Sequence, residues 1–187
     1  MARAGLTPAA VVEAAADLVD REGPAALSLQ RVADHLGVRS PSLYNHVDGL
    51  EALEREVALA GIGQLADACR AAVMGRSQAD GLRALAAAYR AFALGHPGVY
   101  ALTQVARPAD PLYAEVAGRL LEPVLALLAG FALEGQDLIH AARAVRSALH
   151  GFALLEVQSG FGLDVDRNDS FEWMVALLER GLATAAG

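Results

Sequence analysis

Apolar residues along the chain recur at helical spacing between short polar breaks, and no stretch shows the every-second-residue alternation of a strand. Val11, Ala15, Leu18 and Val19 line one face of a first helix, with Thr7 as its cap and Pro8 in its first turn. Gly23-Pro24 ends it. A second, short helix starts at Ser28 and presents Leu29, Val32, Ala33 and Leu36 on one face. Gly37 breaks that helix, Val38 supplies an apolar plug, and Ser40-Pro41 open a third helix of barely two turns, with Leu43 and Val47 inward. Asp48 followed by Glu51 reads as a capping box for a longer fourth helix reaching about Val73.

After a break at Gly75-Arg76-Ser77 the pattern predicts helices near 78–94, just after Pro97, and near 112–128, 136–158 and 170–184. The expected fold is all-α, with about nine helices. It divides into a small helical head over 1–50, a connecting helix over 51–74, and a larger helical domain over 75–187.

Composition narrows the classes. In 187 residues, 55% hydrophobic and 20% charged positions exclude a disordered chain. The single cysteine, Cys69, excludes an internal disulfide and suits a reducing cytosol. No apolar run reaches the ~18 residues of a spanning helix, and acids interrupt the N-terminal segment where an export signal needs an apolar core. The expectation is a cytoplasmic protein with no membrane partner. Every basic residue is arginine, and the net charge is −7. That balance argues against a nucleic-acid partner; the motif argues for one.

The motif is LSLQRVADHLGVRSPSLYNHV, Leu27 to Val47. Two short helices joined by a glycine turn make a helix-turn-helix unit. Ala33 is small enough for a close crossing, and Gly37 tolerates a positive φ. With Val38, Leu43 and Val47 inward, Arg39, Ser40, Ser42, Tyr44, Asn45 and His46 remain outward. They are the donors and acceptors that base edges and phosphates require.

This stretch, with the amphipathic helix before it and the Glu-Ala-Leu after it, resembles the TetR-type (tetracycline-repressor-like) transcriptional regulators over about residues 7–57. YRAFALGHPGVYAL (Tyr89–Leu102) and HGFALLEVQSGFG (His150–Gly162) resemble the effector-binding half of one subgroup. The resemblance implies that Ser40, Pro41, Ser42, Tyr44, Asn45 and His46 form the recognition helix. Tyr44 and His46 match positions that contact phosphate or pack the junction. Gln30 matches a position that reaches a base, where its amide can pair with adenine. Arg39 suits guanine or phosphate, and Arg3 a phosphate or the minor groove. Two departures stand out: Leu50 replaces a backbone-contacting lysine common in the family, and Asp48 repels phosphate. Residues 1–50 carry four arginines against six acids, so few phosphates are neutralised and the salt dependence should be shallow.

In the C-terminal part, Leu138, Ala142, Val145, Leu149, Phe152 and Leu155 repeat at helical steps, as do Phe171, Met174, Val175, Leu178 and Leu182. These stripes read either as a four-helix homodimer interface or as the subunit's own core. Tyr89, Phe92, Tyr100, Tyr113, His140 and Phe152, with Gln104 and Arg143 as polar anchors, are candidates for a pocket holding a small apolar effector, or are ordinary core. His140 and His150 are too far apart along one helix to share a metal. Asp164, Asp166, Asn168 and Asp169 imitate the start of a calcium loop, but Asp169 takes the glycine position and Val175 that of the terminal glutamate. They read as a solvated loop and helix cap.

No catalytic constellation is present, and no cofactor or metal is expected. The sequence reads as a homodimeric repressor. It would bind a palindromic double-stranded DNA operator, dimerise through its last two helices, and release the operator on binding an apolar effector. The alternative is a dimeric ligand-binding or interaction protein with weak or lost DNA affinity.

Overall fold

The computed structural model of the chain describes residues 6–105, 107 and 109–185; Arg3 lies outside them. Among the described residues there are eight α-helices, two 3₁₀ helices and no strand. The α-helices are α1 (Pro8–Glu22), α2 (Leu29–Leu36), α3 (Leu50–Val73), α4 (Gln78–Gly95), α5 (Pro97–Thr103), α6 (Pro111–Ala129), α7 (Gly135–Val157) and α8 (Arg167–Ala185). No helix among these residues is long and apolar enough to cross a membrane.

The chain forms two compact units. One joins the described residues up to Ile62 with His96–Tyr113, and the other joins Gly63–Gly95 with Ala114 onward. In the first, Thr7 accepts the Ala10 N–H and caps α1, whose Val11, Ala15, Leu18 and Val19 are buried with Val32, Ala33, Leu43, Val47 and Leu53. Gly23, at φ +84°, ends α1. Ser28 caps α2 by accepting the Arg31 N–H.

The end of α2 is closed twice. Gly37 sits at φ +65° and donates to the Asp34 carbonyl, while Val38 donates to the Ala33 carbonyl at 2.9 Å. This pair of bonds fills two of the carbonyls a helix end leaves open and fixes the corner into the next segment.

That segment departs from expectation. Ser40–Asn45 forms a 3₁₀ helix, and Ser40 does not cap it. Arg39 holds the cap position in extended conformation, and the Ser40 hydroxyl is drawn instead to Gln30. The expected Asp48–Glu51 capping box does not form: Gly49, at φ +103°, precedes the start of α3 at Leu50, and neither acid side chain makes a hydrogen bond among the described residues.

In the second unit α4 packs on α7 and α8, which also touch each other. Leu82, Leu85, Ala86 and Ala93 of α4 are buried with Val145, Leu149 and Ala153 of α7 and with Phe171, Val175 and Leu182 of α8. Most of the two periodic stripes therefore fills this unit's own core. Ile139, Leu155, Trp173 and Leu177 are the large apolar side chains of α7 and α8 left exposed.

Candidate nucleic-acid interface and effector region

The recognition segment is anchored from beneath and polar above. Leu43 is completely buried and Val47 nearly so, while Tyr44 is 61% exposed and Asn45, Arg39 and Gln30 are exposed beside it. Ser40, Ser42 and His46 are half-buried. The Ser40 hydroxyl donates to Gln30 and so ties the start of this segment to α2.

Gln30 is held rather than loose. Its Nε2 donates to Asp34 Oδ1 at 2.7 Å, and its Oε1 accepts the Ser40 hydroxyl. Sequence reasoning missed Asp34, although its place four residues after Gln30 on one helix face was a usable signal.

The arginines of this unit are mostly committed. Arg31 holds both Glu22 oxygens, at 2.7 and 2.6 Å, and this lowers the Glu22 pKa. Arg21 donates to the Asp17 carbonyl and meets the His35 imidazole. Among the described residues up to Leu50, Arg39 is the arginine without an ion pair or side-chain hydrogen bond. Asp48 and Leu50 are exposed nearby in sequence.

Behind this surface, α5 is clamped to α1 and α3. Gly98 approaches α1 so closely that a Cβ there would fall on the Val19 carbonyl, and Gly61 of α3 likewise leaves room for the Val99 side chain. Asp20 accepts the Val99 N–H at 2.8 Å and meets His96 Nδ1 at 2.9 Å. Arg55 of α3 grips Asp110 at the start of α6 through Nε and Nη2. That contact, with the N–H groups of Tyr113 and Leu112, holds the Asp110 carboxyl below its ordinary pKa.

Three effector candidates converge on Thr103, which is 4% exposed. Its hydroxyl donates to the Tyr100 carbonyl at 2.6 Å and accepts from Gln104 at 2.7 Å, and its carbonyl accepts the Tyr113 hydroxyl at 3.1 Å. A threonine within a helical pattern gave no signal of this role.

The other candidates lie in the second unit. Tyr89 and Phe92 are buried on α4. Phe152 stacks against Phe161 and Phe171, with ring centroids 4.8 and 5.1 Å apart. Over the Phe152 and Phe171 rings sits Arg90, which holds both Glu156 oxygens at 2.7 and 2.6 Å and reaches Asn168 at 2.9 Å. His140 and Arg143 are exposed on α7, and His140 lines an open groove of about 550 Å³ against Leu178 and Leu182 of α8. In the acidic loop, Asp166 accepts the Asn168 and Asp169 N–H groups and so caps α8. No group of metal-ligating residues occurs among the described residues.

The fold and its outward polar helix define a helix-turn-helix DNA-binding protein with a helical C-terminal unit. Residues 11–57 match the family of bacterial regulatory proteins of the tetR type, and residues 82–178 match the tetracyclin repressor-like C-terminal domain. The chain is 38% identical over 96% of its length to an uncharacterized HTH-type transcriptional regulator of Mycobacterium tuberculosis, Rv0681, covering 83% of that protein. It is 35% identical over 96% of its length to another, YobS of Bacillus subtilis, covering 94% of it. Its fold matches a TetR variant of Acinetobacter baumannii AYE in complex with minocycline, at a TM-score of 0.74 and 22% identity, over 98% of this chain and 99% of that one. The chain belongs to the TetR family: it is a DNA-binding transcriptional regulator and not an enzyme.

Proposed function

We propose that the protein is a cytoplasmic homodimeric repressor that binds a palindromic operator and leaves it when a small apolar effector binds. The observation that carries this reading is the recognition segment itself, with Leu43 sealed in the core and Tyr44, Asn45 and Arg39 turned to solvent. Gln30 supplies a base contact, Arg39, Ser40, Ser42 and Asn45 base or phosphate contacts, and Tyr44 and His46 contacts to the flanking phosphates. One such segment reads too few base pairs to be specific, so two copies one DNA turn apart are required.

Dimerisation through α7 and α8 is supported by Ile139, Leu155, Trp173 and Leu177, which are exposed on those helices. Tyr89 and Phe92 are the effector contacts supported by burial on α4, and Phe152 belongs to the aromatic stack of the same unit. Tyr100, Gln104 and Tyr113 act through the Thr103 hub, and His140 and Arg143 from the α7 surface. A protein of this fold holds minocycline, which supports a small-molecule effector. The clamp of α5 on α1 and α3 gives effector binding a route to the head, and a few kcal/mol of differential affinity suffices.

The test is retardation of the promoter fragment upstream of the protein's own gene at two salt concentrations. Binding at about 50 mM salt that weakens with added salt is expected. No shift at the lower salt overturns the reading in favour of a ligand-binding protein with lost DNA affinity, the alternative that the committed arginines and the acidic head favour.

A further inference from the structure

We propose that Asp34 is a specificity-determining residue, which fixes the Gln30 amide so that each subunit accepts adenine in only one orientation of its base pair. This rests on the base-contact reading of Gln30. A glutamine amide offers two donors and two acceptor sites, and its ends are nearly equal in size. Left free, it rotates to present either order. Here Asp34 Oδ1 faces Nε2 at 2.7 Å. A carboxylate only accepts, so the nitrogen must lie on the Asp34 side and the oxygen on the Ser40 side. Ser40 cannot set this order, because a hydroxyl donates or accepts and follows either arrangement.

The two bonds consume one N–H and one lone pair of Gln30, leaving one donor and one acceptor. Adenine shows an acceptor, N7, beside a donor, N6, in the major groove. A fixed amide matches that order one way round. The reversed amide suits the same pair turned end for end. Asp34 therefore acts as a positioning residue that makes the contact directional without touching DNA.

The experiment is selection of bound duplexes from a randomised library by the full-length protein and its Gln30→Ala, Asp34→Asn and Asp34→Glu variants. The unaltered protein is expected to select adenine over thymine at one symmetric position of each half-site, and Gln30→Ala to flatten that position alone. Asp34→Asn, which can donate as well as accept, should cut the adenine-to-thymine ratio there by about fivefold to a hundredfold, the range of one bidentate contact. Total affinity should rise with the loss of a negative charge, an effect that damage to the fold would not produce. Asp34→Glu should keep the preference. The inference is overturned if Asp34→Asn leaves the preference intact or weakens every position alike. If Gln30→Ala changes no position, the base-contact reading fails and the inference with it; if the unaltered protein selects no sequence, the operator reading fails.

Discussion

The Asp20 carboxylate, near the end of α1, accepts the backbone N–H of Val99 in the first turn of α5 at 2.8 Å. It thereby satisfies one of the donors a helix start leaves open, and it does so from a different helix. The same carboxylate meets His96 at 2.9 Å, so one side chain of the DNA-binding unit holds both the cap and the first turn of α5.

Removing that carboxylate should loosen α5. Asp20→Ala is expected to cost about 1 kcal/mol, in the range of a lost helix cap. Amide hydrogen exchange should show Val99 and its neighbours losing protection while the recognition segment keeps its own. Gly98→Ala should be worse, because its Cβ meets the Val19 backbone and not a movable side chain. Thermal melting should place it at least 1 kcal/mol below the unaltered protein.

Arg39 and Arg31 make a contrasting pair. Arg39 is uncommitted while Arg31 is held by Glu22. Replacing Arg39 with alanine should flatten the plot of log affinity against log salt by about one unit per subunit, the signature of one lost phosphate contact. Arg31→Ala should leave that slope nearly unchanged. Fluorescence anisotropy on operator DNA over a salt series separates the two.

Much of the head was legible because local rules fix it. Thr7, Gly23, Ser28 and Gly37 each do what short-range capping and backbone preference require, and Leu43 and Val47 fall inward from spacing alone. What escaped depends on tertiary contact. The Asp20–Val99 bond joins residues 79 positions apart, and the Arg90–Glu156 pair spans 66. Asp48 and Glu51 had the right spacing for a box, but Gly49 takes a backbone angle that moves the helix start past it. On α7 and α8, periodicity located the apolar stripes but could not say whether a helix of the same chain or of another covers them; α4 packs on both helices, and more than half of the stripe residues are buried within the chain.

The Arg90–Glu156 pair should be costly to break from one side. Both groups are well sheltered, with side-chain exposures of 15% and 8%. Arg90→Met leaves Glu156 without its partner and removes the cation from the Phe152 and Phe171 rings. A loss of about 3 kcal/mol is expected in denaturant unfolding. Arg90→Met combined with Glu156→Leu should recover a large part of it.

Stability should fall on the acid side. Glu22 is lowered by Arg31, Asp110 by Arg55, and Asp166 by the N–H groups of Asp169 and Asn168. Carboxyls with depressed native pKa values contribute stability above the unfolded value of about 4, and that contribution disappears as pH drops through the native values. The melting temperature should therefore be level from neutral to about pH 5 and decline below about pH 4. Asp110→Asn should melt lower at neutral pH, and its difference from the unaltered protein should narrow in acid.

Cys69 should be inert in the native protein. It is buried, and desolvation pushes its thiol pKa up to about 12. A disulfide reagent near neutral pH should label it only in denaturant, since the thiolate is the reactive form. Rapid labelling of the folded protein would contradict this.

The corner at Gly37 carries an implication for redesign. It is closed by main-chain bonds, and the segment beyond it is seated by Leu43 and Val47, while the side chains of Ser42 and Asn45 make no hydrogen bond among the described residues. On the proposed DNA-binding reading, these two outer positions form an exchangeable reading head on a fixed mount. Rewriting them should retarget the protein to a foreign promoter while leaving the sequence of the C-terminal unit unchanged.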